Sequence, residues 1–304
     1  MFRKMDREEK KMYNINRMIK ELNPYRSAAE LFRYFSYEKD CVFLDSSLVN
    51  GLGRYSIIGV RSYLKLVKDD HGFFINGQKE SELSFEEYLK KYLSEHKDQN
   101  ESGLPMLSGA VGYFSYEYGR KLMEVPSHKE NLVTIPDAVL VFYDMYIIED
   151  CHEKKTYLVA NGITEDAEKL IESVEVRLTE VLIEKEQVAD RPFDIEVTPN
   201  FKKEEYKQAV DDMIRYIIEG DIYITNMTQQ LEIKSNKEPL DVFYDLRENN
   251  PSPFGGYMDY GDFQIVCASP ERFLKMKKGH VNTRPIKGTR KRGETPEEDL
   301  LMRN

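Results

Sequence analysis

The stretch Val139-Leu140-Val141-Phe142-Tyr143-Asp144-Met145-Tyr146-Ile147-Ile148, the polar turn Glu149 to Lys155, and Thr156-Tyr157-Leu158-Val159-Ala160 decide the fold class. Both apolar runs are rich in β-branched and aromatic side chains, which suit a pleated surface, so they read as two strands separated by a turn. Towards the N-terminus the same texture recurs at Cys41–Leu44, Arg54–Ile58, Tyr63–Val67 and Phe73–Ile75, the last leading into the hairpin dipeptide Asn76-Gly77. These predict antiparallel strands. Ahead of them, Ser27-x-x-Glu30 has capping-box spacing and predicts a short helix with Leu31, Phe32 and Tyr34 as its apolar positions.

Towards the C-terminus the period changes from two to between three and four. Ala167, Leu170, Ile171, Val174, Leu178, Val181 and Leu182 predict one amphipathic helix within Ile163 to Gln187, with Thr164 as its N-cap. Residues Val188 to Asn200 lose that period and contain Pro192 and Pro199, which marks a linker. A second helix is expected over Lys203–Glu219, closed by Gly220, and further strands at Asp221–Thr228, Phe254–Tyr260, Phe263–Cys267 and Phe273–Met276. There is no βαβ alternation. The expected class is α+β, with mainly antiparallel sheet layers covered by helices, divided into a sheet-rich domain over 1–190 and a second over 191–304.

Composition narrows the function. A chain of 304 residues with 40% hydrophobic residues, 20 Tyr and 15 Phe can bury a large core. A formal net charge of −10 and a pI near 5.3 argue against a general nucleic-acid binder, which needs a basic face. The first eleven residues are too charged for a secretory segment, and no apolar run approaches the ~20 residues that cross a bilayer, so no membrane partner and a cytoplasmic location are expected. Cys41, Cys151 and Cys267 are isolated, which predicts buried reduced thiols instead of a disulfide framework or zinc site.

The chemistry concentrates near the end. In Thr283-Arg284-Pro285-Ile286-Lys287-Gly288-Thr289-Arg290 the lysine stands between a proline-fixed backbone and a Gly-Thr turn. An anchored, partly desolvated lysine can act as a nucleophile near neutral pH, and a carboxylate such as Glu271, in Ser269-Pro270-Glu271-Arg272-Phe273, can serve as its acid/base partner. Lys275, Lys277, Lys278, Arg284, Lys287, Arg290, Lys291 and Arg292 form a run without an acid. It suits a substrate carrying two carboxylates, or a solvated hairpin; the absence of an aromatic residue between Lys275 and Arg292 disfavours a nucleic-acid patch.

Seven motifs in order give the chain its resemblance. They are Phe43-Leu44-Asp45-Ser46, Gly53-Arg54-Tyr55-Ser56-Ile57-Ile58-Gly59, Gly109-Ala110-Val111-Gly112-Tyr113-Phe114-Ser115-Tyr116, Tyr206 with Gly220-Asp221-Ile222-Tyr223, Asn250-Pro251-Ser252-Pro253-Phe254, and the two segments just quoted. The chain resembles the chorismate-utilising enzymes: the component I subunits of anthranilate synthase and aminodeoxychorismate synthase, and the isochorismate and salicylate synthases. Anthranilate synthases look like P-I-A-G-T where this chain has Pro285-Ile286-Lys287-Gly288-Thr289, and aminodeoxychorismate synthases look like P-I-K-G-T.

The latter resemblance implies that Lys287 attacks C2 of chorismate as the C4 hydroxyl leaves, with Glu271 as general acid/base, and that ammonia from a glutamine amidotransferase subunit then adds at C4 and expels the lysine. It also implies substrate contacts from Arg284, Gly288 and Thr289, and a tryptophan pocket including Ser46, Pro253 and Phe254. The alternative for Ser46 is a turn hydroxyl, and for Phe254 a core residue. Family members continue well past this segment, so Mg²⁺ in the complete enzyme is expected to find its glutamate ligands beyond Asn304, with no metal site in this chain. A chain cut inside its second domain is expected to be inactive alone. Two other functions stay open: anthranilate synthase component I, and a non-catalytic amino-acid-binding or regulatory remnant.

Overall fold

A computed structural model describes residues 16–127, 133–180, 194–286 and 292–303. The elements run β1 (Met18–Glu21), α1 (Ala28–Phe35), β2 (Val42–Asp45), β3 (Tyr55–Asp69), β4 (Gly72–Ile75), β5 (Gln78–Glu80), α2 (Phe85–Glu95), β6 (Ala110–Phe114), α3 (Tyr116–Leu122), β7 (Ala138–Asp150), β8 (Lys155–Ala160) and α4 (Ala167–Glu180). After them come β9 (Ile195–Pro199), α5 (Lys203–Glu219), β10 (Leu231–Ser235), α6 (Pro239–Asn249), β11 (Phe254–Asp259), β12 (Gln264–Ser269), β13 (Arg272–Lys277), β14 (His280–Arg284) and α7 (Pro296–Arg303). The chain divides into two compact units, residues 1–185 with 243–304, and residues 186–242. The class is the expected α+β with antiparallel sheet.

In the larger unit a ten-stranded sheet follows the order β1-β8-β7-β3-β2-β11-β12, with β4 on β3, β5 on β4 and β6 on β7. Its axis is β7, the quoted apolar run, buried along its whole length. Alternation accounts for this: Val139, Val141 and Tyr143 enter a cluster with Val42, Val111 and Val159, while Ala138, Leu140 and Phe142 enter another with Leu66, Phe73 and Phe85. A strand buried on both faces reads as a continuous apolar run, as here.

One edge of β7 faces β3, whereas the other is shared by β6 over Ala138–Phe142 and β8 over Met145–Asp150. Asp144 lies at that handover with no exposed surface, and its carboxylate accepts hydrogen bonds from the Ile163 and Thr164 N–H groups at 2.9 and 2.6 Å. The Thr164 hydroxyl donates to it as well, at 2.6 Å. Thr164 is therefore committed to Asp144, and the first turn of α4 is capped by Asp166, whose Oδ1 accepts from Glu168 and Lys169. Beyond Glu180 the expected helix passes outside the described residues.

Several expectations change in the structure. The two short strands read at 54–58 and 63–67 are one fifteen-residue strand, β3, carrying a bulge between Ser62 and Leu64 and a left-handed Arg61 at φ 59°. In the smaller unit, Ile195–Pro199, within the expected linker, form β9 and pair with β10. The expected strand Asp221–Thr228 is irregular and Tyr223 is 94% exposed; β propensity without a partner strand does not make a ladder. Residues 254–269, expected in the second domain, are strands of the large sheet, with Gly255 opposite Asp45. Gly220 ends α5 in the left-handed conformation at φ 84°, where glycine carries no Cβ penalty.

Candidate functional site

Glu271 sits between β12 and the two-stranded ribbon β13–β14. Its Oε1 accepts the Ile286 N–H at 3.3 Å, so the carboxylate reaches the residue directly before Lys287. Lys287, Gly288 and Thr289 themselves lie outside the described residues, as do Arg290 and Lys291. Arg284 ends β14, exposed and in register with Arg272. The ribbon starts with a bulge between Arg272 and Lys275, and the Thr283 hydroxyl donates to the Phe273 carbonyl at 2.7 Å. Lys275, Lys277, Lys278 and Arg284 are all exposed on it, interspersed with the exposed apolar side chains of Phe273, Leu274, Met276 and Val281.

A second cluster gathers residues distant in sequence. The Ser46 hydroxyl is buried and donates to the Tyr55 carbonyl at 2.7 Å, with the Pro253 carbonyl also within reach at 3.4 Å. The Ser46 N–H donates to Ser56 Oγ at 3.0 Å, and Ser56 Oγ donates to Asp45 Oδ1 at 3.3 Å. Ser47 and Ser252 exchange bonds: the Ser252 N–H donates to Ser47 Oγ at 2.9 Å, and the Ser47 hydroxyl donates to the Ser252 carbonyl at 3.2 Å. The Ser252 hydroxyl is buried with no hydrogen-bond partner among the described residues. Phe254 is half-buried, and the Arg272 guanidinium lies over its ring, 5.5 Å from the centroid. The structure thus brings Ser46, Pro253 and Phe254 together across 207 residues of chain.

Sequence reasoning missed the charge that supports this cluster. Asp45, with a side chain 2% exposed, accepts from Arg247 Nε of α6 at 2.8 Å. Burial pushes the Asp45 carboxyl above its ordinary range, while Arg247 and Ser56 pull it down. The readable signal was a carboxylate inside an apolar strand motif, which demands a partner.

Other candidate nucleophiles are unsuited to attack. Cys41 and Cys151 are buried and free, and burial pushes the Cys41 thiol up to about 12 and the Cys151 thiol upward as well. Cys267 is free and half-buried. Among the described residues no group of three or more His, Cys, Asp or Glu side chains is arranged to hold a metal ion. No described helix is long and apolar enough to cross a membrane.

The family model described as chorismate binding enzyme matches residues 15–304. Anthranilate synthase component 1 of Acetivibrio thermocellus is 32% identical over 292 residues, covering 90% of this chain and 59% of that protein. Aminodeoxychorismate synthase component 1 of Bacillus subtilis (strain 168) is 31% identical over 204 residues, covering 64% of this chain and 43% of that protein. The crystal structure of anthranilate synthase component I from Streptococcus pneumoniae TIGR4 superposes with a TM-score of 0.63 at 25% identity, over 77% of this chain and 54% of that one. The chain therefore spans less than two thirds of the length of these relatives.

Proposed function

The chain belongs to the chorismate-binding enzyme family, and from that premise we propose that it is component I of an aminodeoxychorismate synthase, aminating chorismate at C4 to 4-amino-4-deoxychorismate for folate synthesis. The observation that carries this is the lysine at 287, with the Glu271 carboxylate bonded to the N–H of the residue just before it. A nucleophile and a proton carrier on adjoining segments can split one difficult displacement into two easier ones. The Lys287 amine attacks C2; the C4 hydroxyl departs, taking the proton that Glu271 delivers. Ammonia, supplied by a glutamine amidotransferase subunit, adds at C4 and the lysine leaves.

Anthranilate synthase component I is the second reading. It is favoured by the relatives from Acetivibrio thermocellus and Streptococcus pneumoniae, which cover more of this chain than the Bacillus subtilis protein does. The buried, unpartnered Ser252 hydroxyl beside Ser46, Pro253 and Phe254 supports an amino-acid ligand there, with L-tryptophan as the proposed occupant.

Incubation of the chain, supplemented with the C-terminal region of a component I relative, with chorismate and Mg²⁺, first without and then with ammonium, followed by peptide mass spectrometry, tests the first reading. A Lys287 peptide heavier by chorismate less water, absent from Lys287→Ala, is expected. Anthranilate formed without any adduct would establish the second reading in its place.

A further inference from the structure

Glu271 stands on a two-residue bridge. β12 ends at Ser269, opposite Phe254 in register, and β13 begins at Arg272, so only Pro270 and Glu271 connect the ten-stranded sheet to the β13–β14 ribbon. Pro270 fixes its own φ and biases Ser269 towards extended backbone, which sets the near side of the bridge. The far side is held by the side chain of Arg272. Its guanidinium lies over the Phe254 ring, 5.5 Å from the centroid, and Nη1 donates to Asn282 Oδ1 at 3.4 Å. The residue opposite Arg272 in the ribbon is Arg284. Like charges at a cross-strand pair repel, which favours the ring of Phe254 as the counterpart of the Arg272 cation.

We propose that Arg272 is a positioning residue: by fastening the start of β13 to Phe254 it directs the Glu271 carboxylate at the Ile286 N–H, immediately before Lys287. The inference rests on the reading of Glu271 as the acid/base group, and it assigns Arg272 a task that the basic run of the ribbon does not share. Lys275, Lys277 and Lys278 follow the bulge, and none places its cation over an aromatic ring among the described residues.

The test uses the ¹⁵N-labelled chain and the Ile286 amide resonance. In the wild type this resonance should titrate as Glu271 ionises, because the carboxylate accepts that N–H; Glu271→Gln should abolish the titration and so identify its source. Arg272→Met keeps the length of the stem and removes the charge. Its Ile286 titration amplitude should fall to about half or less, and its amide exchange should quicken about two- to fivefold, the change expected from losing a cation–π contact at a partly exposed site. Arg272→Lys should restore part of both. Phe254→Leu leaves Arg272 in place and should reproduce the loss, which decides the matter where Arg272→Met disorders the ribbon; β7 amides serve as the fold control. An Ile286 amplitude and exchange rate unchanged in both Arg272→Met and Phe254→Leu overturns the proposal. Neither readout involves chorismate, so absence of a Lys287 adduct would sink the amination reading and leave this result standing.

Discussion

Removing the Arg247 side chain should make the stability of the protein fall more with rising pH than that of the wild type does. Arg247 Nε meets Asp45 Oδ2 at 2.8 Å, the Asp45 side chain is 2% exposed, and among the described residues its other oxygen keeps only the 3.3 Å bond from Ser56. Arg247→Met preserves much of the aliphatic stem and leaves a buried carboxylate without its cation. Breaking a buried pair from one side costs about 3–5 kcal/mol, and that cost applies only while Asp45 is ionised. Burial already raises the folded-state Asp45 pKa and Arg247 opposes the rise, so the substitution lifts it further. A group whose folded pKa exceeds its unfolded value contributes stability that is complete below the unfolded pKa, about 3.9 for Asp, and disappears as pH climbs through the folded value. Hence the Arg247→Met deficit should be about 1 kcal/mol or less near pH 4. It should grow by up to about 1.4 kcal/mol per pH unit until the carboxyl is fully ionised. Urea unfolding followed by far-UV circular dichroism across that range measures it, the chain having no tryptophan to report by fluorescence. Asp45→Asn in the Arg247→Met background should recover most of the loss at pH 8. A deficit that is flat with pH, or no recovery in the double variant, would refute the account of Asp45 as a charge held by Arg247.

Three further outcomes follow from the same physics. A Cβ at Gly112 would stand 1.8 Å from the Val139 carbonyl oxygen, so Gly112→Ala should push β6 off β7 and cost roughly 3 kcal/mol in urea unfolding, an overpacking penalty. Asp144→Ala removes the shared acceptor of the partly buried Ile163 and Thr164 N–H groups, and should cost about 1–3 kcal/mol while loosening the first turn of α4 in amide exchange. L-Tryptophan at millimolar concentration should raise the melting temperature in step with RT ln(1 + [L]/Kd), and Ser252→Ala, which removes the unpartnered hydroxyl, should abolish the shift; no shift in the wild type rejects tryptophan as the occupant.

How far the sequence discloses the structure can be judged residue by residue. β7 is plain because a strand buried on both faces is apolar over most of its length, and β8 because its apolar run follows a polar turn. β3 is harder: Arg61 and Ser62 interrupt its apolar run, and the bulge that accommodates them is a property of the pairing with β7, not of local composition. α2 does carry a local signal, since Ser84 Oγ accepts from Glu87 N–H at 3.2 Å and the Glu87 carboxylate accepts from Ser84 N–H at 2.9 Å, the reciprocal capping box. At α1 the similar Ser27-x-x-Glu30 pattern is only half used, because Glu30 turns to Arg26 Nε at 2.8 Å. The failed strand at 221–228 shows the limit from the other side: its side chains have the propensity, but among the described residues no strand pairs with it.

The motifs that look separate in the sequence are largely one physical object. β11 is hydrogen-bonded on one side to β2, with Gly255 opposite Asp45, and on the other to β12, with Phe254 opposite Ser269. Phe43–Ser46, Asn250–Phe254 and Ser269–Phe273 are therefore brought to the same end of three adjacent strands. The start of β3 joins them: a Cβ at Gly53 would lie 2.4 Å from the Leu48 carbonyl oxygen and 3.2 Å from Pro253 Cα, and Ser56 bonds both Asp45 and Ser46. Close approach of four segments explains the glycine, and the buried polar atoms it brings together explain why hydroxyls and a carboxylate occur where composition alone would place apolar residues. From this corner the chain leaves through Pro270 and Glu271, so the direction of the proposed acid/base group is set by the packing of the corner it departs from. A substitution at Ser252 or Phe254 should accordingly be felt at Glu271, whereas one at Gly112, on β6 at the far edge of β7, should reach it only through global stability.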